Sequence, residues 1–236
     1  MGAAVLLLVG LGTWQMQRLA WKEGVLAQVA KRAHAPAAGV PEARDWPALT
    51  READEYRHLR ARGRFDHARE TLVYAGGGVG EGEGPGAFVI TPLLRADGPP
   101  ILVNRGFVPQ ARRDPATRAD RQLPGEVEVT GLLRLPEEAS WFVPANDAAR
   151  GAFYRRDPAS IAAARGLDGA APFIIDADAE PGAAPSGGAT RLVFPNRHLD
   201  YALTWYGLAA TLLAVSGAVW WSRRRPRAGS VQRPRE

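Results

Sequence analysis

YALTWYGLAATLLAVSGAVWWS, residues 201–222, contains no charged residue. At about 1.5 Å of rise per residue its 22 residues reach roughly 33 Å, enough to span a hydrocarbon core of about 30 Å. Tyr201, Trp205 and Tyr206 stand at one end and Trp220 with Trp221 at the other, as aromatic belts do at the two membrane interfaces. Arg223, Arg224, Arg225 and Arg227 follow at once, which predicts a cytoplasmic C-terminus. The competing reading, a core helix of a soluble protein, would have to be apolar all round for six turns in a 236-residue chain. The segment therefore reads as a transmembrane helix over 198–222 with a basic cytoplasmic tail over 223–236.

The opposite end is shorter. Met1 to Trp14 is apolar but matches a signal-peptide core in length rather than a full span. No basic residue precedes it, and Gln15, Arg18, Trp21 and Lys22 follow where a cleavage site would need small residues. Residues 1–21 read as a membrane helix whose first turns are missing from this sequence. Trp14, Arg18 and Trp21 fall at i, i+4 and i+7, one face of a helix leaving the membrane. Both termini are then cytoplasmic, with the residues between the two helices on the outer side.

Net charge supports that topology. The formal +5 is concentrated in Ser222–Glu236, with six arginines and one glutamate, and Arg18 adds one more. Lys22 to Asp200 holds 23 basic and 24 acidic residues and is close to neutral. A nucleic-acid footprint should be a patch on the folded domain, so no nucleic-acid partner is expected. There is no cysteine, which excludes disulfides, thiolate metal sites, iron–sulfur clusters and a cysteine nucleophile.

Residues 22–55 begin as a polar helix and pass into the Ala/Pro/Gly connection HAPAAGVPEARDWP (34–47), with no core pattern. From Tyr56 the pattern turns to strands. Residues 56–65, 71–75, 87–94, 101–108, 127–133, 173–177 and 191–194 are short alternating, β-branched or apolar runs bounded by Gly and Pro. One helix is predicted among them, with Asp157 as N-cap, Pro158 at the first helical position and Gly166 as the stop. The expected fold is two transmembrane α-helices flanking a mostly antiparallel, barrel-like α+β domain over 56–197 on the extracytoplasmic side.

Catalytic constellations are thin. GGGVGEGEGPG (76–86) lacks the Gly-Lys-Ser/Thr ending of a phosphate loop and reads as a linker between strands. His34, His58 and His67 have no metal-ligand spacing, and Ser140 and Ser160 have no nucleophile-elbow context. A hydrolase stays a remote alternative, because triads are assembled in space.

His198 differs, because it stands in PNRHLDYALTW (195–205) where the chain meets the apolar helix. With Asn196 as the expected cap, His198, Tyr201 and Trp205 share one helix face at i, i+3 and i+7. The positive end of the helix dipole disfavours an imidazolium there. A neutral imidazole among aromatics at an apolar boundary suits a haem iron. The plainer reading is an interfacial histidine bonded to backbone or to the outer domain, and spacing alone favours it. Arg18 likewise reads as part of an interface belt, or more specifically as a partner for a haem propionate.

Five stretches together resemble the Surfeit locus protein 1 family: LGTWQMQRLAWK (11–22), EYRHLRARGRF (55–65), TPLLRADGPPILVNRGFVP (91–109), VTGLLRLPEEASWFVPAND (129–147) and NRHLDYALTWYGLA (196–209). The resemblance covers nearly the whole chain in order. Two departures are the lack of a full first helix with a basic stretch before it, and a Gly-rich loop longer and more acidic than expected. The resemblance implies a non-enzymatic assembly factor of cytochrome c oxidase in a bacterial inner membrane, working with the oxidase's haem-bearing subunit and other assembly factors. It also implies haem a as the bound group, with His198 as ligand to its iron. Tyr201 and Trp205 would pack the macrocycle and Arg18 would meet a propionate. A scaffold that binds no haem is the alternative. Asn104-Arg105-Gly106 and Pro144-x-Asn146 are family marks whose plain roles, a strand leading into a turn and a proline-started loop, account for them without chemistry.

Overall fold

The computed structural model describes residues 1–76, 84–179, 185, 187–188 and 196–224. The chain divides into two compact units, residues 1–27 with 193–236, and residues 28–192.

The first unit is a pair of long helices. Helix α1 runs Gly2–Ala33, unbroken past the boundary expected near residue 21, because Leu, Ala, Lys, Glu and Gln after Trp21 are good helix formers. Lys31 and Arg32 in its last turn suit the negative end of the dipole, and Pro36 disfavours helical backbone at Ala35. Helix α4 runs His198–Arg224. Among the described residues α4 alone is long and apolar enough to cross a membrane. The expected first span is not set apart in this way, because the apolar stretch of α1 gives way to Gln15, Gln17 and Arg18.

Burial along both helices follows steps of three and four. On α1 the shielded positions include Val5, Leu8, Gly12, Gln15, Leu19, Lys22 and Leu26, and on α4 His198, Ala202, Trp205, Ala209, Leu212 and Ser216. That 3.5-residue period is the seam of a coiled-coil-like pair. The pairing is antiparallel: Met1 Sδ meets Ser216 Oγ at 3.5 Å, and Thr13 Oγ1 meets Tyr206 Oη at 3.2 Å. Gly12 lets the helices approach, since a Cβ there would lie 2.7 Å from the Tyr206 ring.

The second unit is a curled sheet. Its strands are β1 (Ala38–Gly39), β2 (His58–Phe65), β3 (Thr71–Ala75), β4 (Gly86–Leu94), β5 (Ile101–Pro109), β6 (Glu126–Arg134) and β7 (Ile174–Ala177). They lie in the order β1-β2-β6-β7-β5-β4-β3, and a further β2–β4 pairing at Arg64–Leu94 and Phe65–Leu93 closes a five-stranded, barrel-like ring. Pairing is antiparallel except for β1–β2 and β5–β7. Leu59, Phe65, Leu93, Ile101, Val103, Leu133, Phe173 and Ile175 fill the inside. Gly131 is required where β6 passes β7, because a Cβ would strike the Asp176 carbonyl.

Helix α3 (Pro158–Ala164) covers the outer face, packing Ile161 and Ala162 with Ile90, Leu102 and Ile174. Its caps match expectation: the Asp157 side chain accepts from the Ala159 N–H, and Gly166 takes φ +61°. A short helix α2 (Arg51–Asp54) and strand β1 lie in the connection that showed no core pattern. The strand expected at 191–194, residues 77–83 of the Gly-rich loop and the tail from Arg225, including Arg227, lie outside the described residues.

Candidate functional site

Helix α4 begins one residue later than an Asn196 cap requires. The carbonyl of Arg197 accepts from the Tyr201 N–H at 3.2 Å, so Arg197 holds the cap position, and the Asn196 Oδ1 is buried without a hydrogen bond. His198 is half-buried in the first turn, and its Nδ1 lies 2.7 Å from Oε1 of Gln15 on α1. Trp205 shares the shielded stripe with His198, Ala202 and Ala209, whereas Tyr201 is 54% exposed. Arg18 is exposed and lies over the Trp21 ring, 4.4 Å from its centroid, so its described contact is with the belt. The structure thus brings His198 to Gln15, a residue whose part the sequence hid among its belt neighbours. Two positions of the four-residue set, His198 and Trp205, sit on the packed face, and two, Tyr201 and Arg18, on exposed ones.

The family marks of the second unit lead to a different site, a buried network around Asp176 on β7. Asn104 donates from Nδ2 to Asp176 Oδ1 at 2.8 Å and accepts from the Gly106 N–H at 3.1 Å. Gly106 has φ +122°, and the β4–β5 register slips between Phe88 and Ile90. Asn104-Arg105-Gly106 is therefore a bulge inside β5 rather than a strand leading into a turn. Arg134 and Arg156 both donate to Asp176 Oδ2, at 3.1 and 3.2 Å. Arg134 also bonds Glu55 at 2.8 Å, and Arg156 bonds Glu137 at 2.7 Å. Burial works against the charge on Arg134, but Asp176 and Glu55 outweigh it and hold its proton more tightly than usual.

Asn146, the other family mark, is a staple. Its Oδ1 accepts from the N–H groups of Tyr154 and Arg155, and its Nδ2 donates to the Arg155 carbonyl and to Ser160 Oγ at 2.9 Å. That commits the Ser160 hydroxyl to structure. A second buried pair, Arg118 with Glu70, is bidentate, and Arg118 also bonds the carbonyls of Arg112 and Arg113.

His58 stands between two acceptors, the Ala35 carbonyl at 2.9 Å and Asp178 Oδ2 at 2.8 Å. Burial works against its charge, but the hydrogen bonds to Asp178 and Ala35 prevail and raise its pKa. With both nitrogens committed, this His–Asp pair is a clamp, not the base of a triad. His67 behaves oppositely, its pKa lowered chiefly by burial. Among the described residues no group of three His, Asp or Glu side chains could hold a bare metal ion. His198 presents one imidazole, the donor type that an iron already held by a macrocycle accepts. A cavity of about 200 Å³ in this unit is lined in part by Phe65, Val127, Val129, Arg105 and Arg121.

Comparison with known proteins is unambiguous. A model of the SURF1 family matches residues 2–210. Surfeit locus protein 1 of Homo sapiens is similar, with 38% identity over 217 residues covering 85% of this chain and 70% of its own. Its counterpart in Rattus norvegicus is 39% identical, covering 85% and 68%. A SURF1-like protein of Monosiga brevicollis is 38% identical over 221 residues, covering 87% and 80%.

Proposed function

The chain belongs to the SURF1 family, and from that premise we propose that it is a membrane-embedded assembly factor of cytochrome c oxidase that holds haem a at His198. It is not an enzyme in this reading. Its partners are the oxidase's haem-bearing subunit, other assembly factors and the lipid membrane of a bacterial cell. Helix α4 crosses the inner membrane, the apolar first turns of α1 lie in it alongside α4, both termini face the cytoplasm, and the barrel is periplasmic.

One observation carries the membrane part: the most apolar window of α4 is only 11% buried. Leu203, Leu208, Leu213, Val215, Trp220 and Trp221 are each between 48% and 62% exposed. Such a surface on a soluble protein would be an aggregation site, and in lipid it is the expected outside of a helix. Arg223 and Arg224 then mark the cytoplasmic end.

The haem part rests on His198 being the half-buried imidazole of the packed helix face, with Trp205 two turns along the same stripe. A bound haem would supply an iron that accepts a histidine nitrogen. His198 would hold it by that nitrogen and Trp205 would offer an apolar wall. Arg18 is the nearest cation in sequence to Gln15 on α1, available to a propionate once it leaves the Trp21 ring.

A scaffold without haem has one observation in its favour. Trp141 and Phe142 are 96% and 70% exposed on the loop after β6 and stack edge to face at 5.6 Å, a ready aromatic anchor for a protein partner. The optical spectrum separates the two. Full-length protein purified in detergent from cells that make haem a should show haem bands, and His198→Ala prepared identically should not. A folded, colourless wild type, or an unchanged variant spectrum, sinks the haem reading and leaves the scaffold.

A further inference from the structure

We propose that Gln15 is a positioning residue that makes His198 a one-sided donor, with its proton on Nδ1 and its lone pair on Nε2. The inference builds on the reading of His198 as a haem ligand, but its central claim concerns the protein alone. A neutral imidazole has one N–H and one bare nitrogen, and which is which depends on what each nitrogen meets. Nδ1 of His198 meets Oε1 of Gln15 at 2.7 Å. An amide oxygen has no proton to give, so Nδ1 donates and Nε2 is left as the nucleophilic atom.

The geometry that sets this up is built by the helix pair rather than by α4. Gln15 and His198 are 183 residues apart in sequence and meet because both fall on the packed seam. Gly12, one turn earlier on α1, admits the Tyr206 ring, and Thr13 bonds its hydroxyl. Ala202, fully buried one turn along α4, lets the backbones stay close beside the histidine. Those contacts lock the register of α1 against α4, and with it the reach of the Gln15 side chain. Without Gln15 the ring is free to turn about its side-chain bonds and to exchange tautomers.

A second consequence follows from the chemistry of the acceptor. A hydrogen bond to the far nitrogen orients a ligating histidine and raises its basicity. A carboxylate in that place would raise it more than an amide does, because the bond would be charge-assisted. A glutamine therefore gives an oriented but moderate donor, which suits a carrier that has to release what it holds. Gln15→Glu is expected to bind haem a more tightly and release it more slowly. Gln15→Leu, of similar size but with no acceptor, is expected to weaken haem binding by about 10- to 100-fold, the usual cost of losing a partner that orients a ligand.

The deciding experiment is long-range ¹H–¹⁵N correlation on full-length protein in detergent micelles, with its four histidines ¹⁵N-labelled in the ring and His198 assigned by deletion. Wild type should show His198 with Nδ1 protonated and Nε2 bare, and Gln15→Leu should lose that fixed pattern. A proton on Nε2 in wild type would mean that the Gln15 amide presents its NH₂ to the ring, and it overturns the proposal. So does a pattern unchanged in Gln15→Leu. Haem a affinity of the same variants is the second readout. If Gln15→Leu binds as wild type does while His198→Ala does not, Gln15 has no positioning role. If wild type takes up no haem a at all, the ligand reading fails while the tautomer is still decided by the first measurement.

Discussion

The barrel and the helix pair are held together by opposite means. In the barrel every strand of the ring is paired on both sides, the interior is apolar, and buried charge is shared among several partners. Asp176 receives Asn104 from β5, Arg134 from β6 and Arg156 from the approach to α3. In the helix pair the described polar ties are single, neutral contacts: Met1 with Ser216, Thr13 with Tyr206 and Gln15 with His198. Between them stand small residues that let the backbones come close. Water supplies a large drive to close a barrel; under the proposed membrane setting lipid would supply almost none to bring two helices together, and their association would depend on close packing and a few polar contacts. The candidate ligand lies in the second kind of structure, where one hydrogen bond decides how a ring points.

The largest expected effect is in the barrel. Asp176→Ala leaves Arg134, Arg156 and Asn104 without their shared acceptor, and breaking such buried pairs costs about 3–5 kcal/mol. Thermal unfolding followed by circular dichroism should show the loss. In the same variant the His198 ring pattern in ¹H–¹⁵N correlation, set by Gln15 within the helix pair, should be unchanged. A changed pattern would break the comparison.

Asn146→Ala removes four hydrogen bonds from one side chain, two of them to backbone N–H groups, and should cost about 1–3 kcal/mol. Faster amide exchange at Tyr154 and Arg155, with the barrel strands still protected, would locate the damage. The converse test is Gly12→Val, whose side chain would meet the Tyr206 ring. It should disturb the fixed His198 ring pattern while leaving the barrel transition where it was. A lowered barrel transition would show the two regions to be stabilised together.

The smallest effect is one of pH. The folded pKa of His58 is raised, so its bond to Asp178 contributes fully below about pH 6.5 and is lost as pH rises through the folded value. The charged groups bearing on it are Asp178, which favours the imidazolium, and Arg60, which opposes it. Wild-type stability should fall slightly more across that window than that of His58→Gln. In an NMR titration His58 should have a higher midpoint than His67, whose pKa is lowered. The reverse order would remove the clamp.

The elements that repeat are legible in the order of residues alone. Short alternating, β-branched or apolar runs between Gly and Pro locate β2 through β7 to within one or two residues, and Asp157-Pro158 with Gly166 brackets α3. The apolar run from Tyr201 locates α4. What escapes has no period to reveal it. Strand β1 is two residues in a Pro/Gly-rich connection, and two residues cannot alternate. Asn196 reads as a cap because Asn is a good one, yet the backbone turns helical one residue later. The Asn104 motif reads as the end of a strand, because the bulge that Gly106 permits is defined by the neighbouring strand.

Composition, charge placement and periodicity are sufficient for the sheet-rich centre and the long apolar helix, because each of those depends on neighbours close in sequence. Tertiary structure alone decides the partners: which carboxylate gathers the arginines, which nitrogens His58 commits, and which face of α1 meets α4. Gln15 and His198 each carry an ordinary local pattern, and their 2.7 Å contact exists because a 3.5-residue seam on one helix faces the same seam on the other, 183 residues away. A hydrogen bond across that separation leaves no mark on the spacing of either segment, since local sequence records how a helix buries a face and not which side chain will stand opposite it.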